Sequence, residues 1–252
     1  MVPIIALCQN LRKLLYSVIN DCFKGEMNPM SNVVLIAACL LLSTYFILQE
    51  RQEHYVSAVI LKGLASMCFV ILGFSLSDHS RTANMITTGL LLGMIADILL
   101  NLRFVLKSAS KPVFLAGILV FLSGHILYLL AVFPDCPSKL LCIIASVILT
   151  ALLMAWIFTK ITAEKAFKLF GIVYIGAIVL LNCTAYINLF AAPSLFRAIF
   201  AAGALLFLVS DIVLILNTFG SEQKFSLRVT NLSLYYAGQL FIAISLLALQ
   251  MK

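Results

Sequence analysis

The chain has 252 residues, 63% of them hydrophobic and only 11% charged, with a mean hydropathy of +1.12. A soluble domain is closer to about 45–50% apolar and about 25% charged, so an ordinary soluble protein is excluded and a polytopic membrane protein is expected. The formal charge of +7 must then sit in loops and tails, where it meets anionic headgroups rather than nucleic acid.

Residues 1–30 read as an interfacial or flexible N-terminal segment. Their apolar stretch carries Gln9, Asn10, Arg12 and Lys13, which suits a helix lying in the membrane surface better than a span. A small-residue cleavage site after a short apolar core is lacking, which argues against a signal peptide. Asn28, Pro29, Ser31 and Asn32 then break the pattern.

Eight apolar segments follow, at about 32–49, 55–76, 83–103, 112–132, 139–159, 168–190, 195–217 and 227–249. Each approaches the ~20 residues needed to cross the hydrocarbon. In a bilayer each must be helical, because water is absent and only a helix satisfies its own backbone groups. The breaks are short, so consecutive helices form antiparallel hairpins, and residues 31–252 form one all-α transmembrane domain. Eight spans put both termini on one side, side A. The loops of the opposite side B carry Arg51, Arg103, Lys107, Lys111, Lys160, Lys165, Lys168, Lys224 and Arg228, a bias that favours side B as cytoplasmic. Of the seven cysteines, Cys39, Cys68, Cys142 and Cys183 fall inside apolar runs. There a cysteine acts as a small hydrophobe, and neither disulfides nor a redox compartment follow from them.

Polar groups inside the spans are few. Asp97 and Asp211 are expensive in a bilayer, at roughly 2.5–3.5 kcal/mol each on insertion scales, and mark a functional site by default. Each aspartate follows a glycine at the same spacing, Gly89 and Gly203, and each is followed by Ile. An Asn comes later in both stretches, Asn101 and Asn217. At 1.5 Å per residue Asp97, Asp211, Lys62, Tyr174 and Tyr235 lie roughly 9–12 Å below the side B surface. His125 and Gln239 lie nearer the midplane. One polar cavity opening towards side B is expected. A common offset relates Gly89 to Gly203, Asp97 to Asp211 and His125 to Gln239, which raises the possibility of a parallel 4+4 internal repeat with the site between its halves.

Plainer roles remain for several of these residues. Lys62 can snorkel to the interface, His125 can bond between helices, Tyr235 and Tyr236 can belong to an interfacial belt, and Asn101 and Asn217 can cap helix ends. A zinc site would need several His or Cys ligands around an open position. Only His125 is within a span, so no metal or other cofactor is expected.

Together these residues resemble the lysoplasmalogenase family, the YhhN-like multispan membrane proteins, over about residues 31–249. GLLLGMIADILL (89–100) and GALLFLVSDIVLILNTF (203–219) are similar to the family's two aspartate helices. GHILY (124–128) is similar to its His-x-x-Tyr helix and SLYYAGQL (233–240) to its Tyr-Tyr-x-x-Gln helix, and Lys62 and Tyr174 fall where the family has them. The N-terminal extension has no counterpart. The resemblance implies hydrolysis of the vinyl ether bond of lysoplasmalogens to a fatty aldehyde and glycerophosphocholine or glycerophosphoethanolamine, in the endoplasmic reticulum of a eukaryote or the inner membrane of a bacterium.

That chemistry needs a general acid to protonate the alkene carbon and a carboxylate beside the resulting cation, akin to the carboxylate pairs of glycosidases. Asp97 and Asp211 are the catalytic candidates, with their division of labour open. Lys62, His125, Tyr128, Tyr174, Tyr235, Tyr236, Gln239, Asn101 and Asn217 are the substrate-binding candidates. The expected partners are a lysophospholipid and the bilayer. A proton-coupled transporter or lipid-moving protein is the alternative reading, since carriers use the same buried groups.

Overall fold

The computed structural model describes residues 29–162 and 164–251. The expected N-terminal segment therefore lies, up to residue 28, outside the described residues. Eight long helices follow in chain order: α1 (Pro29–Arg51), α2 (Tyr55–Ser75), α3 (Arg81–Val105), α4 (Ser110–Val132), α5 (Lys139–Phe158), α6 (Lys165–Ala191), α7 (Leu195–Phe219) and α8 (Phe225–Ser245), then a final turn, α9 (Leu247–Gln250). Among the described residues, eight helical segments are long and apolar enough to cross a membrane. The protein is an integral multi-pass, all-α membrane protein.

Most helices run past the apolar limits expected from sequence. α1 starts at Pro29 rather than residue 32 and ends at Arg51. A proline is tolerated at a first helical position because no intrahelical bond is lost there. α3 starts two residues earlier than expected, at Arg81, and α7 starts at Leu195 as expected; serines cap both. Ser80 Oγ accepts from Ala83 N and Ser194 Oγ accepts from Arg197 N, both at 3.2 Å. Such bonds satisfy one of the orphan donors at a helix start. α8 instead stops short, at Ser245.

Packing is closest along two antiparallel hairpins, α3 with α4 and α7 with α8. Between membrane helices small residues let backbones approach, and the same joint is made in both pairs. A Cβ on Gly89 would stand 3.1 Å from the Gly124 carbonyl oxygen and collide with the Tyr128 ring. A Cβ on Gly203 would stand 2.9 Å from the Gly238 carbonyl oxygen and 2.9 Å from Ile242 Cγ1. Gly124 and Gly238, like Ser80 and Ser194, keep the offset that relates Asp97 to Asp211.

α8 is the central helix. It packs on α7 and also on α1, α2 and α3, whereas α3 and α7 are not extensive packing partners of each other. α5 is peripheral and turns Leu140, Leu141, Val147 and Leu152 outwards, the apolar face that lipid requires. On side B the α5–α6 and α7–α8 loops are tied by Thr162 N donating to Phe219 O at 2.9 Å.

Gly203→Ala is expected to destabilise the folded protein by about 1–3 kcal/mol, the usual range for overpacking, because its Cβ would meet backbone atoms of α8. Gly171→Ala faces only Met154 Cε at 3.7 Å and should be neutral. Thermal unfolding of the two variants in detergent checks this; equal midpoints would contradict the joint.

Candidate active site

Four-residue spacing puts successive polar groups on one helix face, and that spacing assembles the site. Lys62 and Ser66 share a face of α2, Asp97 and Asn101 a face of α3, and Tyr235 and Gln239 a face of α8. Asp97 is the junction. Its Oδ1 lies 3.1 Å from Lys62 Nζ, and its Oδ2 accepts from the Ser66 and Tyr235 hydroxyls, each at 2.6 Å. Asp97 is 2% exposed and Lys62 4%. A buried ion pair holds only if its remaining valences are satisfied, and here α2 and α8 supply the three donors.

Towards the midplane the chain of bonds continues through α8. Gln239 Nε2 is 3.4 Å from the Tyr235 oxygen, and Gln239 Oε1 accepts from Tyr128 OH at 2.9 Å. Gly93 makes room for this amide, since a Cβ there would stand 3.1 Å from Gln239 Nε2. Towards side B, Lys62 Nζ also donates to Asn101 Oδ1 at 3.2 Å, and Asn101 Nδ2 donates to Glu50 Oε2 at 3.0 Å. Glu50 in turn accepts two bonds from Arg228, Nε at 2.7 Å and Nη2 at 2.9 Å. Two carboxylates and two cations thus alternate, and their charges cancel.

Asp211, 3% exposed, has a different environment. Its Oδ2 accepts from Tyr174 OH at 2.7 Å, and among the described residues it forms no ion pair. The adjacent Ser210 is stapled to α8: its Oγ donates to Asn231 O at 3.0 Å, and Asn231 Nδ2 donates to Ser210 O at 2.9 Å. A run of ring contacts connects Tyr235, which bonds Asp97, with Tyr174, which bonds Asp211. His125 stands edge-on to Phe207 with centroids 4.2 Å apart and lies 6.1 Å from Tyr174 and 5.8 Å from Tyr128. Phe207 lies 5.5 Å from Tyr235. His125 Nδ1 is bonded to Phe121 O at 3.1 Å. If that nitrogen donates, Nε2 is left as an acceptor.

The remaining expected residues divide. Tyr236 is buried beside Ser66, with no well-formed hydrogen bond to its hydroxyl. Asn217 does not join Asp211: its Oδ1 accepts from Lys224 N at 2.7 Å, so it orders the α7–α8 loop. Sequence reading missed Ser66, Asn231, Glu50 and Arg228. Ser66 was detectable as the residue one turn from Lys62. Glu50 and Arg228 looked like loop charges, but α1 runs on to Arg51 and α8 starts at Phe225, so both sit on helices, where they pair.

Two cavities border this network, both lined by α3 and α7. A vestibule of 350 Å³ at the side B end is lined by Glu50, Arg103, Phe104, Leu214, Asn217, Lys224 and Arg228 among others. A cleft of 90 Å³, almost wholly apolar, is lined by Leu100, Phe121, Phe170, Tyr174, Ile215 and Phe219 among others.

The model of the YhhN family matches residues 57–246, a range that includes both aspartates and Lys62 but not Glu50. The Bos taurus protein named Lysoplasmalogenase TMEM86A is 32% identical over 212 residues, covering 80% of this chain and 83% of the relative. No solved structure matches significantly.

Removing one partner of a buried ion pair leaves an uncompensated charge, at a cost of about 3–5 kcal/mol. Lys62→Met should therefore lower the thermal midpoint sharply, and Asp97→Asn added to it should restore much of the loss. Equal additive losses in this double-mutant cycle would show that the pair is not coupled.

Proposed function

The chain belongs to the YhhN family, and on that premise we propose that it is a membrane lysoplasmalogenase that hydrolyses the vinyl ether of an alkenyl glycerophospholipid. The relative's name supports the reaction class. The observation that carries the mechanism is the contrast between two buried acids, one saturated with donors and a cation, the other bonded to a single phenol.

Lys62, Ser66 and Tyr235 hold Asp97 as an ionised acceptor. A buried carboxyl without a cation is cheaper in its neutral form, so Asp211 carries the proton, with Tyr174 fixing its orientation. The lysolipid lies with its headgroup in the vestibule and its alkenyl chain in the apolar cleft, so its ether oxygen passes between α3 and α7. Asp211 gives its proton to the alkene carbon that is not bonded to oxygen. The π electrons form that C–H bond, and the ether oxygen shares its lone pair with the adjacent carbon as an oxocarbenium ion. The Asp97 carboxylate stabilises this cation by charge, as in the carboxylate pairs of glycosidases. Asp211, now ionised, takes a proton from the water that adds to the cationic carbon. The hemiacetal then collapses: Asp211 returns a proton to the glycerol oxygen as the C–O bond breaks and receives the proton of the hemiacetal hydroxyl. The products are a fatty aldehyde and a glycerophosphodiester, with one water consumed and Asp211 protonated again.

Purified protein in detergent is expected to release aldehyde from a lysoplasmalogen and to leave the ester lysolipid intact. Asp97→Asn and Asp211→Asn should each lower turnover by about 10²–10⁴-fold, the usual worth of acid–base catalysis, and Tyr174→Phe by less. Wild-type turnover in either asparagine variant would rule the mechanism out. Lipid movement across sealed vesicles without any aldehyde would turn the assignment to a carrier.

A further inference from the structure

The vestibule holds more positive charge than the protein itself neutralises. Arg228 is engaged by Glu50, and Lys224 pairs with Glu222 at 3.1 Å. Arg103 has no carboxylate within ion-pair distance among the described residues. Its guanidinium is held instead between the rings of Phe104 and Phe114, with centroids 4.6 and 4.4 Å away. Its Nε is buried without a hydrogen-bond partner. A buried donor with no acceptor is destabilising, so an arginine kept there by two aromatic faces is poised for an acceptor from outside. Glu50 shows what kind of acceptor the neighbouring guanidinium takes, an oxyanion gripped by two parallel N–H bonds. Phosphate oxygens fit the same fork.

We propose that Arg103 and Arg228, with Lys224 at the rim, form a subsite for a phosphate anion at the side B mouth of the buried network. The assignment rests on the lysolipid reading above for its ligand, the phosphodiester of a glycerophospholipid headgroup. Arg103 supplies the unused donors, and Arg228 can turn to phosphate oxygens as Glu50 gives up part of its grip. Because Glu50 also holds Asn101, which holds Lys62, an anion at Arg228 sits one carboxylate and one amide from the Asp97 pair. The subsite thereby sets the depth of the lipid: phosphate at the mouth, ether oxygen a few bonds below at the level of the two acids.

The test compares binding of two lipids without a vinyl ether, an ester lysophosphatidylcholine and the neutral monoacylglycerol of the same chain, to purified protein in non-ionic detergent. Wild type is expected to prefer the phosphodiester at least tenfold. Arg103→Gln, which breaks no ion pair, and Glu50→Gln with Arg228→Gln, which removes that pair together, should each erase the preference and leave monoacylglycerol affinity unchanged. A merely structural role would weaken both lipids alike, and such a result, or an undiminished preference, overturns the proposal. Glycerophosphocholine should displace the lysolipid at concentrations where inorganic phosphate does not; the reverse order would overturn the headgroup as the source and make this a free-phosphate site. A lysolipid preference in protein that cleaves no vinyl ether would leave the subsite standing and remove the proposed reaction.

Discussion

The Lys62–Asp97 ion pair is the constraint on which the interior depends. Two charges this deeply buried are stable only when every remaining donor and acceptor finds a partner. The bundle is arranged around that requirement. α2 supplies Lys62 and Ser66, α3 supplies Asp97 and Asn101, and α8 supplies Tyr235. Extension through Asn101 to Glu50 and Arg228 carries the polar line to the side B surface with alternating charge, so no net charge is left in the apolar layer. A hydrophobic core without this pair would be no less stable on physical grounds. The burial of charge is therefore explained by chemistry more readily than by folding.

Positioning comes from the glycine joints and from α8. The Gly89–Gly124 and Gly203–Gly238 contacts bring α3 against α4 and α7 against α8 at backbone distance. α8 lies against α7 as well as α1, α2 and α3, so Tyr235 reaches Asp97 while Asn231 ties the residue next to Asp211. Equivalent helices thus present equivalent acids to unlike neighbours. Where α2 offers a lysine and a serine to Asp97, α6 offers a tyrosine to Asp211. The two carboxyl groups thus differ in charge environment, as the proposed acid-catalysed hydrolysis requires.

Much of this was legible in the chain. Eight spans follow from apolar length, and the two aspartates, Lys62, Tyr174, Tyr235 and Gln239 stand out because polar groups in a bilayer must have partners. Their shared depth suggested one polar cavity near side B, and the structure joins Asp97, Lys62, Tyr235 and Gln239 in one hydrogen-bonded network. The pairing was not legible. Two matched aspartates suggested a dyad but gave no sign of their unlike partners: Asp97 takes Lys62, Ser66 and Tyr235, and Asp211 takes Tyr174. Asn217 matched Asn101 in its stretch, yet it closes a loop because α7 ends two residues later. Glu50 and Arg228 escaped notice because a charged residue at the end of a span reads as a loop residue until the helix geometry shows the two facing each other across the bundle.

In the proposed mechanism Asp211 carries the proton and Asp97 is the fixed anion. Infrared spectra of the purified protein at neutral pH address that assignment through the C=O stretch of a protonated carboxyl group. A buried protonated-carboxyl band is expected that vanishes in Asp211→Asn and survives in Asp97→Asn. A band that is absent from the wild type, or that vanishes with Asp97 and survives without Asp211, would contradict the assignment.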